Sequence, residues 1–311
     1  PVMPMSHTVY NAGKDGILDG TIDCDTDTLK AVLIMDSAQT AVDITTDSEK
    51  DKLTLSAMDG GSGISTSAEF DTSYTRPTLS IDDGYDAAND QFYLNGTADS
   101  TLSSLSSGTY PIEGILIYKH VTNDSDSIPI VYVPLASLES PNGVYFVLNI
   151  NGVKFLKGAD GSASGTTIYP AGMQGILNGS IDLTGDTLKL ILINDQIDVA
   201  TDIDADTLSD LNTGAGLTGA EHDSGYTRPT LSSVTVTQDD TNNVAELDAA
   251  DVTISSLAAG TYPIRSVLVY KHVDGTESND IPICLLKYGS DRTPDGSDFV
   301  VSFGADGILK M

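Results

Sequence analysis

Aspartates set two apart are the residues in this chain whose type and spacing best suit a chemical task. Asp23, Asp25 and Asp27 alternate, and so do Asp202, Asp204 and Asp206. Oxygen ligands at that spacing open a calcium loop, which then needs a glycine at its sixth position and an acid at its twelfth. Counted from Asp202, those positions hold Thr207 and Thr213. The runs therefore read as solvated loop carboxylates of an acidic chain, and no metal or cofactor is assigned. The histidines, His7, His120, His222 and His272, are scattered, whereas a zinc site wants three or four converging ligands. Cys24 and Cys284 each fall where the other half of the chain has an apolar residue, Leu183 and Val131. Small buried thiols are the natural reading. There is no Gly-x-Ser-x-Gly elbow and no phosphate-binding loop, so the chain is expected to be non-enzymatic.

Basic residues are scarce and placed in register. Tyr74-Thr75-Arg76-Pro77-Thr78-Leu79-Ser80 returns as Tyr226-Thr227-Arg228-Pro229-Thr230-Leu231-Ser232. Gly108-Thr109-Tyr110-Pro111-Ile112 returns as Gly260-Thr261-Tyr262-Pro263-Ile264, and Tyr118-Lys119-His120-Val121 as Tyr270-Lys271-His272-Val273, all at an offset of 152. The proline after Arg76 and Arg228 holds each arginine in extended backbone. Arginine beside tyrosine is the composition of a contact hot spot, which makes Tyr74, Arg76, Lys119, Tyr226, Arg228 and Lys271 candidate partner contacts. The same spacing equally suits an internal arginine–carboxylate pair bracing a loop.

The elements that must carry these residues come from a duplication. Gly16-Ile17-Leu18 and Asp27-Thr28-Leu29-Lys30 return as Gly175-Ile176-Leu177 and Asp186-Thr187-Leu188-Lys189 at an offset of 159, so the first copy is seven residues longer, in the polar stretch after Met35. Loop length is thermodynamically cheap there. We place one β-domain at 1–157, a Gly/Ser-rich linker at 158–166 and a second β-domain at 167–311.

Short apolar runs predict strands at 29–35, 115–118 and 128–133, and again at 188–193, 267–270 and 281–286. Pro129 and Pro282, second in their runs, suit a strand start or an edge. The segment 233–237 alternates polar and apolar, as a half-buried strand does, and 145–150 and 299–303 read as late strands. Asp-Gly and Asn-Gly pairs at 83–84, 95–96, 142–143, 151–152, 274–275, 295–296 and 306–307 read as turns. One short helix near the start of each copy fits residues 10–18, against the weakening effect of Gly13 and Gly16. The expected fold is all-β: two tandem antiparallel sandwiches or small barrels of about seven to nine strands each.

Composition narrows function further. The chain has 311 residues, 45 acids against 15 bases and a net charge of −30, shared by both copies. That surface repels nucleic acid and anionic membranes. No apolar run reaches the length of about 18 residues that a spanning helix needs, and the N-terminus reads without a signal peptide. The order of motifs, from Tyr10-Asn11-Ala12-Gly13-Lys14-Asp15-Gly16-Ile17-Leu18 through Leu231-Ser232-Ser233-Val234-Thr235-Val236-Thr237 and Asp248-Ala249-Ala250-Asp251-Val252 to Ala305-Asp306-Gly307-Ile308-Leu309, resembles small β-rich virion structural proteins of tailed bacteriophages. The resemblance is to the capsid decoration, or cement, type. It implies a major capsid protein as partner, homo-oligomers on the capsid lattice, a place on the outer surface of the virion and assembly in a host cytoplasm. That family usually presents one such module, so a fused pair is a departure. Linked modules on a lattice gain avidity, since the second contact is intramolecular, and free thiols fit a reducing compartment. The alternative is a tail or surface adhesin recognising a host glycan, against which the absence of Trp counts.

Overall fold

The protein's structure, a computed structural model, describes residues 7–71, 73–86, 91–102, 105–143, 146–148, 153–157, 166–196, 200, 202–304 and 307–311. Strands make up 35% and helices 15%, so the chain is all-β as its sequence predicts. The first copy contributes β1 (Thr8–Val9), β2 (Leu29–Met35), β3 (Ile81–Asp86), β4 (Gln91–Gly96), β5 (Ser100–Leu102), β6 (Ile112–Lys119), β7 (Ile128–Glu139), β8 (Phe146–Leu148) and β9 (Val153–Lys157). The second contributes β10 (Thr166–Ile168), β11 (Leu188–Asn194), β12 (Thr235–Asp239), β13 (Val244–Asp248), β14 (Val252–Ile254), β15 (Ile264–Lys271), β16 (Ile281–Arg292), β17 (Phe299–Val301) and β18 (Leu309–Lys310). Residues 158–165 of the expected linker lie outside the described residues, and Thr166 already belongs to β10.

Each copy builds the same three antiparallel sheets. A four-stranded sheet runs β1-β7-β6-β2 in one and β10-β16-β15-β11 in the other. Three-stranded sheets β3-β4-β9 and β12-β13-β18 and ribbons β5-β8 and β14-β17 accompany them. The apolar runs do not alternate because the large sheets are covered on both faces. In β2, Ala31 and Leu33 point into one cluster with Ile115 and Ile117 of β6, while Val32 and Ile34 point the other way to join Leu116 and Tyr118. The outer face is roofed by the chain after Met35, through Ile44, Leu55, Met58 and Ile64. The extra residues of the first copy lie in this roof, where helices Ser37–Thr40 and Asp47–Lys50 form and Ile44 accepts a hydrogen bond from Tyr10 Oη at 3.0 Å.

The expected short helices are Asn11–Leu18 and Pro170–Leu177. Their glycines are required by close approach rather than tolerated. A Cβ on Gly13 would lie 2.8 Å from Ile130 Cα, and one on Gly172 would lie 2.7 Å from Ile283 Cα and 2.5 Å from Pro282 O. Each helix thus rests backbone to backbone on β7 or β16, which outweighs glycine's poor helix propensity of about 1 kcal/mol. Pro129 and Pro282 sit at strand starts, beside register shifts at Ile117/Tyr118 and Val269/Tyr270. Their strands are interior to the sheet, so the edge alternative does not apply.

Two expected turns are strand instead. Asp83-Gly84 lies in β3 and Asn95-Gly96 ends β4. Gly84 stands opposite Tyr93, whose ring and hydroxyl occupy the space a side chain would take. Gly143, Gly275 and Gly296 do turn the chain, at φ +89, +83 and +90. The pair at 151–152 and residue 306 lie outside the described residues.

The copies share one interior. A single apolar cluster holds Ile17, Leu18, Ile22 and Leu94 of the first copy together with Ile176, Leu177, Ile181 and Leu247 of the second. The helix Asn11–Leu18 packs on the β12–β13 hairpin of the second copy, and the helix Pro170–Leu177 packs on β3 and β4 of the first. Among the described residues no helix is long and apolar enough to cross a membrane.

Candidate functional site

The register-matched tyrosines and arginines sit where a sheet edge must be closed. Along the outer edge of β2 run residues 68–71 and 73–79, which pair with it at some rungs. Met35 N donates to Ala68 O at 2.9 Å, Phe70 N to Leu33 O at 2.8 Å, Ala31 N to Pro77 O at 3.1 Å and Leu79 N to Leu29 O at 2.9 Å. Between these rungs, the N–H of Leu33 is accepted at 3.0 Å by the hydroxyl of Tyr74, which donates in turn to Glu69 at 2.7 Å. A side chain has replaced a ladder partner, and so the edge carries no unpaired donor at this rung. The second copy repeats this: Leu192 N donates to Tyr226 Oη at 2.7 Å, and Tyr226 Oη to Glu221 at 2.9 Å.

Arg76 locks the strap. Its Nε and Nη2 meet the two oxygens of Glu69 at 2.9 and 2.6 Å, and Nη1 and Nη2 meet those of Asp124 at 2.5 and 3.0 Å. Tyr118 Oη accepts a further contact at 3.5 Å. Asp124 belongs to the turn between β6 and β7, so the guanidinium ties the edge strap to that turn. Bidentate arginine–carboxylate pairs are the strong members of their class. Burial opposes the arginine's charge, but the hydrogen bonds it donates to Glu69, Asp124 and Tyr118 outweigh that and hold the group protonated above its ordinary range. Arg228 is held alike by Glu221, through Nε at 3.0 Å and Nη2 at 2.6 Å, and by Glu277 at 2.7 Å.

Lys119 and Lys271 do not join these clusters. Successive residues of a strand face opposite ways, so each lysine points away from the tyrosine beside it. Lys119 reaches Asp27 at 2.7 Å and Thr21 O at 2.5 Å, and Lys271 reaches Asp186 at 2.7 Å and Ser180 O at 2.6 Å. The candidate contacts thus divide into an arginine–tyrosine clasp and a lysine–aspartate tie, once in each copy. This is the geometry of the internal brace.

The aspartate runs are spent on turns. Asp23 Oδ1 accepts from Asp25 N at 2.9 Å and Thr26 N at 3.0 Å, and Asp27 Oδ2 accepts from Asp23 N at 2.8 Å. Asp202 accepts from Thr213 N at 3.2 Å. Among the described residues no group of three His, Cys, Asp or Glu side chains converges as metal ligands do. His120 and His272 stand edge-on to Tyr118 and Tyr270, at 6.2 Å and 88°. Their backbones close the strand end by donating to Thr28 O and Thr187 O at 2.8 Å. Cys24 and Cys284 are free and buried. Burial pushes the Cys284 thiol up to about 12, and burial followed by the charges of Asp83, Asp23 and Asp27 raises Cys24.

The carboxylates that receive the arginines are not among the residues the motifs single out, although the sequence carries a signal for one in each copy. Glu69 and Glu221 each lie seven residues before their arginine, within the matched pairs Ala68-Glu69 and Ala220-Glu221. Asp71 and Asp223, two residues further on, accept from Thr109 N at 2.9 Å and Thr261 N at 2.8 Å and so fasten the Gly-Thr-Tyr-Pro-Ile segment. What the brace leaves outside is acidic, with matched apolar residues set in it. Val121 and Val273 are exposed in the turns that hold Asp124 and Glu277, and Val147 and Val300 are exposed on β8 and β17. No protein-family model, curated protein or solved structure matches the chain.

Proposed function

We propose that this chain is a non-enzymatic virion structural protein that binds and stabilises the outer surface of a tailed-phage capsid. The observation that carries the reading is that both copies commit their matched Tyr, Arg and Lys side chains to internal ties and then present the same exposed apolar residues, Val121 with Val273 and Val147 with Val300. A braced β-scaffold that presents the same exposed residues once in each copy suits a lattice that repeats its own binding positions, because the second contact is made at high effective concentration. A charge of −30 keeps such a scaffold off nucleic acid. The partner in this reading is the major capsid protein, with copies of the chain side by side on the lattice. The competing reading, a tail or surface adhesin for a host glycan, draws on Tyr262, which is 42% exposed.

Cosedimentation separates the two. Saturable binding to expanded, genome-free heads with none to host cells is the expected result. Binding to cells and not to heads overturns the proposal in favour of the adhesin. If the apolar positions make the contact, Val121→Asp with Val273→Asp lowers head occupancy at least tenfold while the thermal transition stays in place.

A further inference from the structure

The contact between the two copies has the form of an isologous interface, in which a patch meets its own equivalent. The helix of the first copy lies on the β12–β13 hairpin of the second, and the helix of the second lies on β3 and β4 of the first. The residues just after the helices repeat the exchange. Gly20 abuts Asp182, with an ideal Cβ 3.1 Å from that side chain, and its equivalent Gly179 abuts Asp23, the equivalent of Asp182, at 2.8 Å. Cys24 N donates to Leu177 O at 3.1 Å across the same boundary. Behind these contacts lies the shared apolar cluster.

We infer that this interface is sufficient by itself: each copy carries a complete binding face for a second copy of the same repeat, and the connection through 158–165 tethers the halves without being needed to hold them. Three observations favour a permanent interface over a loose docking. Ile17, Leu18, Ile176 and Leu177 are fully or almost fully buried by it together with the sheets, as in an obligate dimer whose interface resembles a core cut in two. The closest approaches involve backbone and short side chains, which leaves little room for sliding. Polar contacts at the rim have diverged, while Ile17, Leu18 and Ile22 keep their equivalents Ile176, Leu177 and Ile181 in the shared cluster. Gln174 donates to Asp83 at 2.6 Å on one side, whereas on the other Lys14 donates to Asn243 O and Asn11 meets Asn243 at 3.4 Å. A duplicated homodimer keeps what binds and drifts where solvent reaches.

The test cuts the full-length chain after it has folded. A protease recognition sequence is placed within 158–165, the purified protein is cleaved, and its mass is followed by light scattering while it is diluted to nanomolar concentration. The expected result is a noncovalent pair of 32.6 kDa that melts in one transition. Two separated species at micromolar concentration overturn the inference. Gln174→Glu, which sets a carboxylate against Asp83, sharpens it: the uncut variant stays folded, and after cleavage its halves part at a concentration at least tenfold higher. Equal dissociation of cleaved wild type and cleaved variant counts against the assigned interface. Capsid binding plays no part in this readout, so its outcome is independent of the proposed function.

Discussion

Arg76 and Arg228 occupy the same place in the two copies and are held to different degrees. Arg76 meets both oxygens of both its carboxylates, whereas Arg228 meets both oxygens of Glu221 but only one of Glu277. The second acceptor is the shorter Asp124 in the first copy, 25% exposed, and the longer Glu277 in the second, 35% exposed. The same clasp therefore works with one acceptor made longer and wetter, since its task is to tie the edge strap to the hairpin turn. The helices differ similarly. Asn11–Leu18 carries Lys14 where Pro170–Leu177 carries Met173, which is wholly buried. Both comparisons show the placement of the elements retained while individual side chains differ, an acceptor in the clasp and Lys14 for the buried Met173 in the helix.

The largest effects are expected where the copies agree. Gly13→Val and Gly172→Val force a side chain into the backbone of β7 or β16, and each is expected to lower stability by roughly 3 kcal/mol, as overpacking does. Urea titration of each variant measures this, and a difference between them beyond about 1 kcal/mol breaks the equivalence of the copies. Arg76→Leu strands two partly buried carboxylates and is expected to cost about 2–3 kcal/mol, between the exposed and buried limits for ion pairs. Arg228→Leu is expected to cost less by about 1 kcal/mol, because Glu277 is better solvated. The reverse order in the same titration overturns the comparison of the clasps. Tyr74→Phe and Tyr226→Phe leave the amides of Leu33 and Leu192 without their acceptor and are each expected to cost about 1–2 kcal/mol.

Lys14 supplies a smaller effect with a definite pH window. Burial, and then the charge of Lys50, lowers its pKa from 10.5 to about 8. Folding therefore favours its neutral form. The group opposes stability below about pH 8, and that penalty is relieved as pH rises through about 8 towards 10.5. Lys14→Met, which copies the second repeat, is expected to be more stable than wild type at pH 7, with the gap closing by pH 10.5. A gap that widens with pH contradicts the assignment. The smallest effect concerns the thiols: Cys24 and Cys284 are expected to stay unlabelled by a disulfide reagent at pH 8 for as long as the chain is folded.

Much of this fold is written in short-range pattern. The doubled motifs at 74–80, 108–112 and 118–121 reveal the duplication, and the unbroken apolar runs of β2, β6, β11 and β15 mark a sheet covered on both faces. Two things were less legible. Asp83-Gly84 reads as a turn because the pair tolerates positive φ, yet it lies in β3 opposite Tyr93, whose ring fills the glycine's space. The pairing of the copies leaves no periodic trace either, since it is made by helix faces of mixed composition and by glycines meeting aspartates. For the site, the sequence left Arg76 and Arg228 open between a partner contact and an internal brace. The acceptors Asp124 and Glu277 lie 48 and 49 residues further along the chain, and only the hairpin turns bring them within reach.

In the proposed function a braced scaffold, with the same valines exposed in each copy, sits on a protein shell. An electron cryomicroscopy map of expanded heads incubated with the full chain tests it most directly. The account predicts density for both copies on the outer face of the shell, with the Val121 and Val273 turns or the Val147 and Val300 ribbons against the capsid protein. Heads that stay bare at saturating protein contradict it.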